Sequence, residues 1–183
     1  FKLLIDMPLA PVVDIDTEGY PPKGNPNGNI EIVEFADYQC PHCKDAAQAI
    51  ESIVAKYDDI RVVFMDFPVN RSGISRKVAL GGFCAAEQNK FWEYHDSAFA
   101  EQEKLSGDSA AVFAELLGLD IEEFAACLGS DRPEEAISRA KNEGIRLGVT
   151  GTPSFFINGR KLHAHGNLEE ALAEAVEQAK KDT

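Results

Sequence analysis

Residues 29–43 read NIEIVEFADYQCPHC, an apolar run that ends on two cysteines three positions apart. Apolar Ile30, Ile32, Val33 and Phe35 are interleaved with Glu31 and Glu34, the pattern of a mostly buried strand ending at Asp37. Beyond the cysteines, Ala46, Ala47, Ile50, Ile53, Val54 and Tyr57 recur at three- and four-residue steps, which predicts an amphipathic helix over 41–57. Residues 60–67 (IRVVFMDF) form a second apolar run, stopped by Pro68. Strand, helix, strand with short links predicts a right-handed parallel crossover.

Working outward, residues 8–28 are rich in Pro, Gly and Asn and read as an extended arm spanning 1–28. Between Ile74 and Leu128 only helical periodicity appears, broken near Gly107 and Gly118. Residues 71–131 are therefore expected to be an all-helical insertion, with Asp120 and Glu123 capping its last helix. Pro133 suits the first position of another helix running to about Leu147. Strand signals return at 154–157, turn at Asn158-Gly159 and continue through 160–164 as a hairpin. Asn167 and Glu170 cap a final helix. The fold class is α/β, with segments 29–70 and 132–183 enclosing the insertion.

Composition sets the outer limits. A chain of 183 residues, 44% hydrophobic and 27% charged, can bury a real core. A formal charge of −13 repels phosphate backbones, so nucleic acid is not expected as a partner. No apolar run approaches a membrane span. Phe1 to Ile5 lacks the basic start and long apolar centre of a signal peptide, and the absence of an initial Met points to removal of an upstream segment.

The chemistry lies in Cys40-Pro41-His42-Cys43. A cysteine at a helix N-terminus meets free backbone N–H groups and the positive end of the dipole, both of which stabilise a thiolate. Pro41 has no N–H to leave unsatisfied at the first helical position, and His42 adds a donor beside the anion. Each effect favours the reduced pair and makes the Cys40–Cys43 disulfide oxidising. The other reading of a CxxC is half a zinc site, completed by Cys84, Cys127 or a histidine, although no second CxxC or HxxxH exists. His95, beside Trp92 and Tyr94, reads as a packed histidine. His163 and His165 share one face of the last strand and read as solvent-facing, with a metal pair as the other reading. Cys84 and Cys127, both in apolar helical surroundings, are either a structural disulfide closing a loop of about 44 residues, worth roughly 4 kcal/mol at most, or two buried thiols.

Strand, CPHC, helix, helical insertion and then Gly151-Thr152-Pro153 before a hairpin resemble the thioredoxin fold, and most closely the DsbA-like bacterial oxidoreductases, over roughly residues 29–181. The resemblance implies that Pro153 is a cis-proline beside the disulfide that leaves the neighbouring backbone free for a substrate peptide. It implies that Thr152 tunes the active-site sulfur and that Glu34 is a buried acid moving protons to and from Cys43. Thr152 departs from the oxidase pattern and also looks like the disulfide-isomerase branch. Glu34 could equally face solvent, since a sequence alone does not fix a strand's face. The expected protein is a monomeric, periplasmic dithiol oxidase with no cofactor beyond its own disulfide and no metal. It would act on folding proteins with free thiols and be reoxidised by a membrane quinone-linked partner of the DsbB type. An isomerase or reductase of the same fold, and a periplasmic metal or peptide carrier, are the alternatives.

Overall fold

The computed structural model describes residues 10–182. Phe1–Ile5 and Pro8 lie outside them. In chain order the elements are β1 (Lys23–Gly24), β2 (Ile30–Ala36), α1 (Pro41–Lys56), β3 (Ile60–Asp66), α2 (Ile74–Glu87), α3 (Phe91–Ala100), a 3-10 turn (Gln102–Lys104), α4 (Ser109–Leu116), α5 (Ile121–Leu128), α6 (Arg132–Arg146), β4 (Ser154–Ile157), β5 (Arg160–Lys161) and α7 (Leu168–Lys181). The sheet order is β1-β3-β2-β4-β5. Only β2 and β3 run parallel, joined through α1 as the crossover requires.

Both faces of the central strands are covered, which is why β2 and β3 are nearly continuous in apolar residues. Ile30 and Ile32 meet Ile50 and Ile53 of α1 and Leu172 and Val176 of α7. Val33, Phe35 and Met65 meet Ala140 of α6 and Phe156 on the opposite face. By strand alternation Glu34 and Ala36 share the Ile30/Ile32 face, and there the insertion closes over Ala36, Phe64 and Tyr38. α2 is the hub of the insertion, touching α3, α4, α5 and α6.

Local chemistry sets most element ends. The Asp120 carboxylate accepts from Glu123 N, and the Asn167 side chain accepts from Glu170 N. Asn158 (φ 45°) and Gly159 (φ 75°) supply the two left-handed residues of a tight hairpin turn.

Three details differ from the sequence reading. α6 begins at Arg132, so Pro133 is its second residue, where a missing N–H is also harmless. The insertion has a further break at Asn89, which takes a left-handed conformation (φ 58°) between α2 and α3. The last strand stops at Lys161 because beyond Leu162 the chain is exposed and has no partner strand, so His163 and His165 lie past it. The extended arm is fastened to the sheet. β1 pairs antiparallel with β3, and Val12 bridges to Arg160, so the arm adds to both sheet edges.

Candidate active site

Cys40 is the N-cap of α1 and is half-buried, with Pro41 as the first helical residue. Its Sγ donates to the Thr152 carbonyl at 3.4 Å. The Thr152–Pro153 bond is cis, placing the start of β4 across from the helix end. Pro41 and His42 are exposed. One turn in, the Cys43 thiol is fully buried, and burial pushes its pKa well above the ordinary thiol range; a hydrogen bond with Cys40 adds to this. Both cysteines are free thiols, so this is the dithiol form.

Glu34 sits on β2 with Phe64 of β3 and Phe155 of β4 as its register partners. Only 2% of it is exposed, and Oε1 has no hydrogen-bond partner among the described residues. Burial pushes its pKa up to about 8, against the pull of the Lys23 ammonium, and its charge acts on Cys43. Lys23 belongs to the arm, where it pairs with Glu51, lies 3.7 Å from Asp96 and covers the Trp92 ring at 4.9 Å. Among the described residues, the arm therefore supplies the one cation that opposes the burial of Glu34.

Two further residues shape this site without any signal in the sequence. Asp37, buried, accepts from the backbone N–H groups of Gln39 (2.7 Å), Val69 (2.7 Å) and Asn70 (3.1 Å) and from Ser75 Oγ of α2. Four donors satisfy this carboxylate and fasten the loop before Cys40 to the loop after β3. Gln102, in the 3-10 turn, donates through Nε2 to the carbonyls of Tyr38 (2.9 Å) and Cys40 (2.8 Å). The insertion thus grips the CPHC turn from two elements. A glutamine more than sixty residues from its acceptors carries no recognisable spacing.

Cys84 of α2 and Cys127 of α5 are joined as a disulfide with Cα atoms 5.8 Å apart, both buried. Neither is free to complete a metal site with the CPHC pair. His95 is buried in α3 among Phe64, Phe91, Trp92 and Phe99, and burial lowers its pKa. His163 and His165 are exposed.

A thioredoxin family model matches residues 16–178. This chain belongs to the thioredoxin family. The match begins inside the arm, which corrects the expectation that the likeness starts at residue 29. Among solved structures, a thioredoxin-like oxidoreductase from Silicibacter pomeroyi DSS-3 is 26% identical with a TM-score of 0.78, covering 90% of this chain and 94% of that one. BdbD from Bacillus subtilis is 19% identical with a TM-score of 0.82, covering 95% and 100%. The thiol-disulfide exchange protein alpha-DsbA2 from Wolbachia pipientis is 23% identical with a TM-score of 0.75, covering 90% and 89%. This thioredoxin-family chain has the DsbA-like form of the thioredoxin fold with its helical insertion. It is also 32% identical over 166 residues to a protein from Salinispora tropica named Na(+)/H(+) antiporter NhaA 3, covering 90% of this chain. The chain spans about a quarter of the length of such curated relatives, so the likeness concerns one segment of those proteins.

Proposed function

We propose that this thioredoxin-family protein is a dithiol oxidase that passes a Cys40–Cys43 disulfide to folding extracytoplasmic proteins. The observation that carries the reading is the asymmetry of the pair. Cys40 is reachable at the amide end of α1 beside a cis Thr152–Pro153 bond, whereas Cys43 is sealed. A substrate thiolate attacks Cys40 Sγ of the oxidised pair, and the Cys43 sulfur leaves with the bonding electrons. Glu34 supplies the proton that Cys43 needs, since an anion is disfavoured in so dry a place. A second substrate thiolate then attacks the substrate sulfur of the mixed disulfide and releases Cys40. The substrate has lost two electrons and the protein holds two thiols. Thr152 and Pro153 would pair with the substrate backbone, and His42 and the helix end would favour the departing Cys40 anion. A quinone-linked membrane partner of the DsbB type would reoxidise the pair. The Cys84–Cys127 disulfide supports an oxidising compartment such as the periplasm.

Thr152 favours one second reading, an isomerase or reductase on the same site. Refolding of a reduced, disulfide-rich substrate separates the readings. Rapid oxidation by the pre-oxidised protein is expected. Rescue of a scrambled substrate without net oxidation would assign an isomerase, and no turnover would assign a carrier.

A further inference from the structure

Away from the CPHC turn, the arm, α2, α3 and α6 enclose a cavity of about 540 Å³ against the end of β3, a volume typical of small-molecule sites. Its walls are largely apolar, and four of the residues that line it are aromatic: Tyr20, Phe64, Phe83 and Phe91. Asp66 also lines it. This carboxyl is 6% exposed, is held only by its own backbone N–H, and leaves Oδ1 with no hydrogen-bond partner among the described residues. Buried polar atoms almost always have partners, so an orphan carboxyl oxygen on an apolar cavity calls for a donor. Burial, together with the Asp37 carboxylate, pushes the Asp66 pKa up to about 8, and no ion pair to Asp66 forms among the described residues. At the mouth stand Glu18, Glu87 and Arg139; Glu87 is engaged by Arg132 at 2.8 Å and Arg139 is exposed. The interior therefore offers one unpartnered carboxyl, whose proton a bound cation would displace, and the rings around it present electron-rich faces to that cation.

We propose that this cavity is a second binding site, separate from the CPHC pair, for a small organic ammonium compound with an aromatic or branched apolar body. Its ammonium would donate to Asp66 and its body would fill the space between Phe64, Phe83 and Phe91. Phe64 packs on Tyr38 with ring centroids 5.4 Å apart, so the occupant would lie behind the strand end that leads to Cys40.

Phenethylammonium is a suitable probe and 2-phenylethanol its neutral counterpart, each titrated into the full chain and followed by calorimetry. Saturable binding of the ammonium is expected, at least about tenfold tighter than the alcohol, which is the worth of one hydrogen bond to a charged group. Asp66→Asn should remove that preference. Ala136→Trp, which fills the cavity from α6, should abolish binding of both, and thermal melts check that each variant folds. No saturable binding to the wild-type chain, equal affinity for alcohol and ammonium, or unchanged affinity in a folded Ala136→Trp would each overturn the proposal. If Asp66→Asn does not fold, the alcohol and Ala136→Trp still decide it.

Discussion

The molecule holds two cysteine pairs in opposite surroundings. Cys40 and Cys43 lie one turn apart at the start of a helix, with one sulfur half-exposed and a buried acid within electrostatic reach of the other. Cys84 and Cys127 are 43 residues apart, enclosed between two apolar helices, and bonded to each other. The same functional group is chemically available in the first place and inert in the second. Reactivity follows from access, from charge at the helix end and from a route for the proton, none of which the second pair has. What the second pair does is tie together the insertion that holds Gln102 and Ser75 against the CPHC turn.

Exchanging the roles of the pairs gives the largest effect. Cys40→Ser should reduce substrate oxidation to background. The double variant Cys84→Ala, Cys127→Ala should keep the rate within a few-fold while losing about 2–4 kcal/mol in urea melts. If instead the double variant loses exchange and keeps its stability, the division between reactive and structural pairs is wrong. Next comes the proton route. Glu34→Gln should slow exchange by roughly 10²-fold at pH 7, the lower end for a positioned proton-transfer group. Its stability should move the other way. A carboxyl whose folded pKa is about 8 against 4.5 unfolded favours its protonated form, so the wild type loses stability as pH rises from about 4.5 to 8. The glutamine escapes that loss and should be more stable by up to about 3 kcal/mol at pH 7, and equal near pH 4. A rate unchanged across neutral pH would remove Glu34 from the mechanism. The smallest effect is expected at Gln102. Gln102→Ala deletes two hydrogen bonds to the CPHC turn, and a net loss of about 1 kcal/mol in its positioning would slow exchange about fivefold. The active-site equilibrium constant with glutathione should shift with it, whereas a merely structural residue would change the melt alone.

Some of this was legible in one dimension because it depends on neighbours in the chain. The strand before CPHC, the helix after it, the caps at Asp120 and Asn167 and the Asn158-Gly159 turn are all short-range chemistry, and sequence periodicity reports it. Asn89 carries no signal of its own, because a left-handed asparagine in a helical run looks like any polar surface residue. The three residues beyond Lys161 read as strand because an alternating pattern does not say whether a partner strand exists.

By itself the sequence determined that two cysteines open a helix behind a buried strand, and that a proline after a threonine precedes a hairpin more than a hundred residues later. Only the tertiary structure decided that Cys40 lies 3.4 Å from the Thr152 carbonyl and that Glu34 is buried. It also decided that Lys23 from the arm is the cation opposing that burial and that Asp66 faces a largely apolar cavity. The physical reason is desolvation. A carboxyl's charge state depends on what covers it from every side, and the cover over Glu34 and Asp66 comes from an arm and an insertion that strand alternation cannot place.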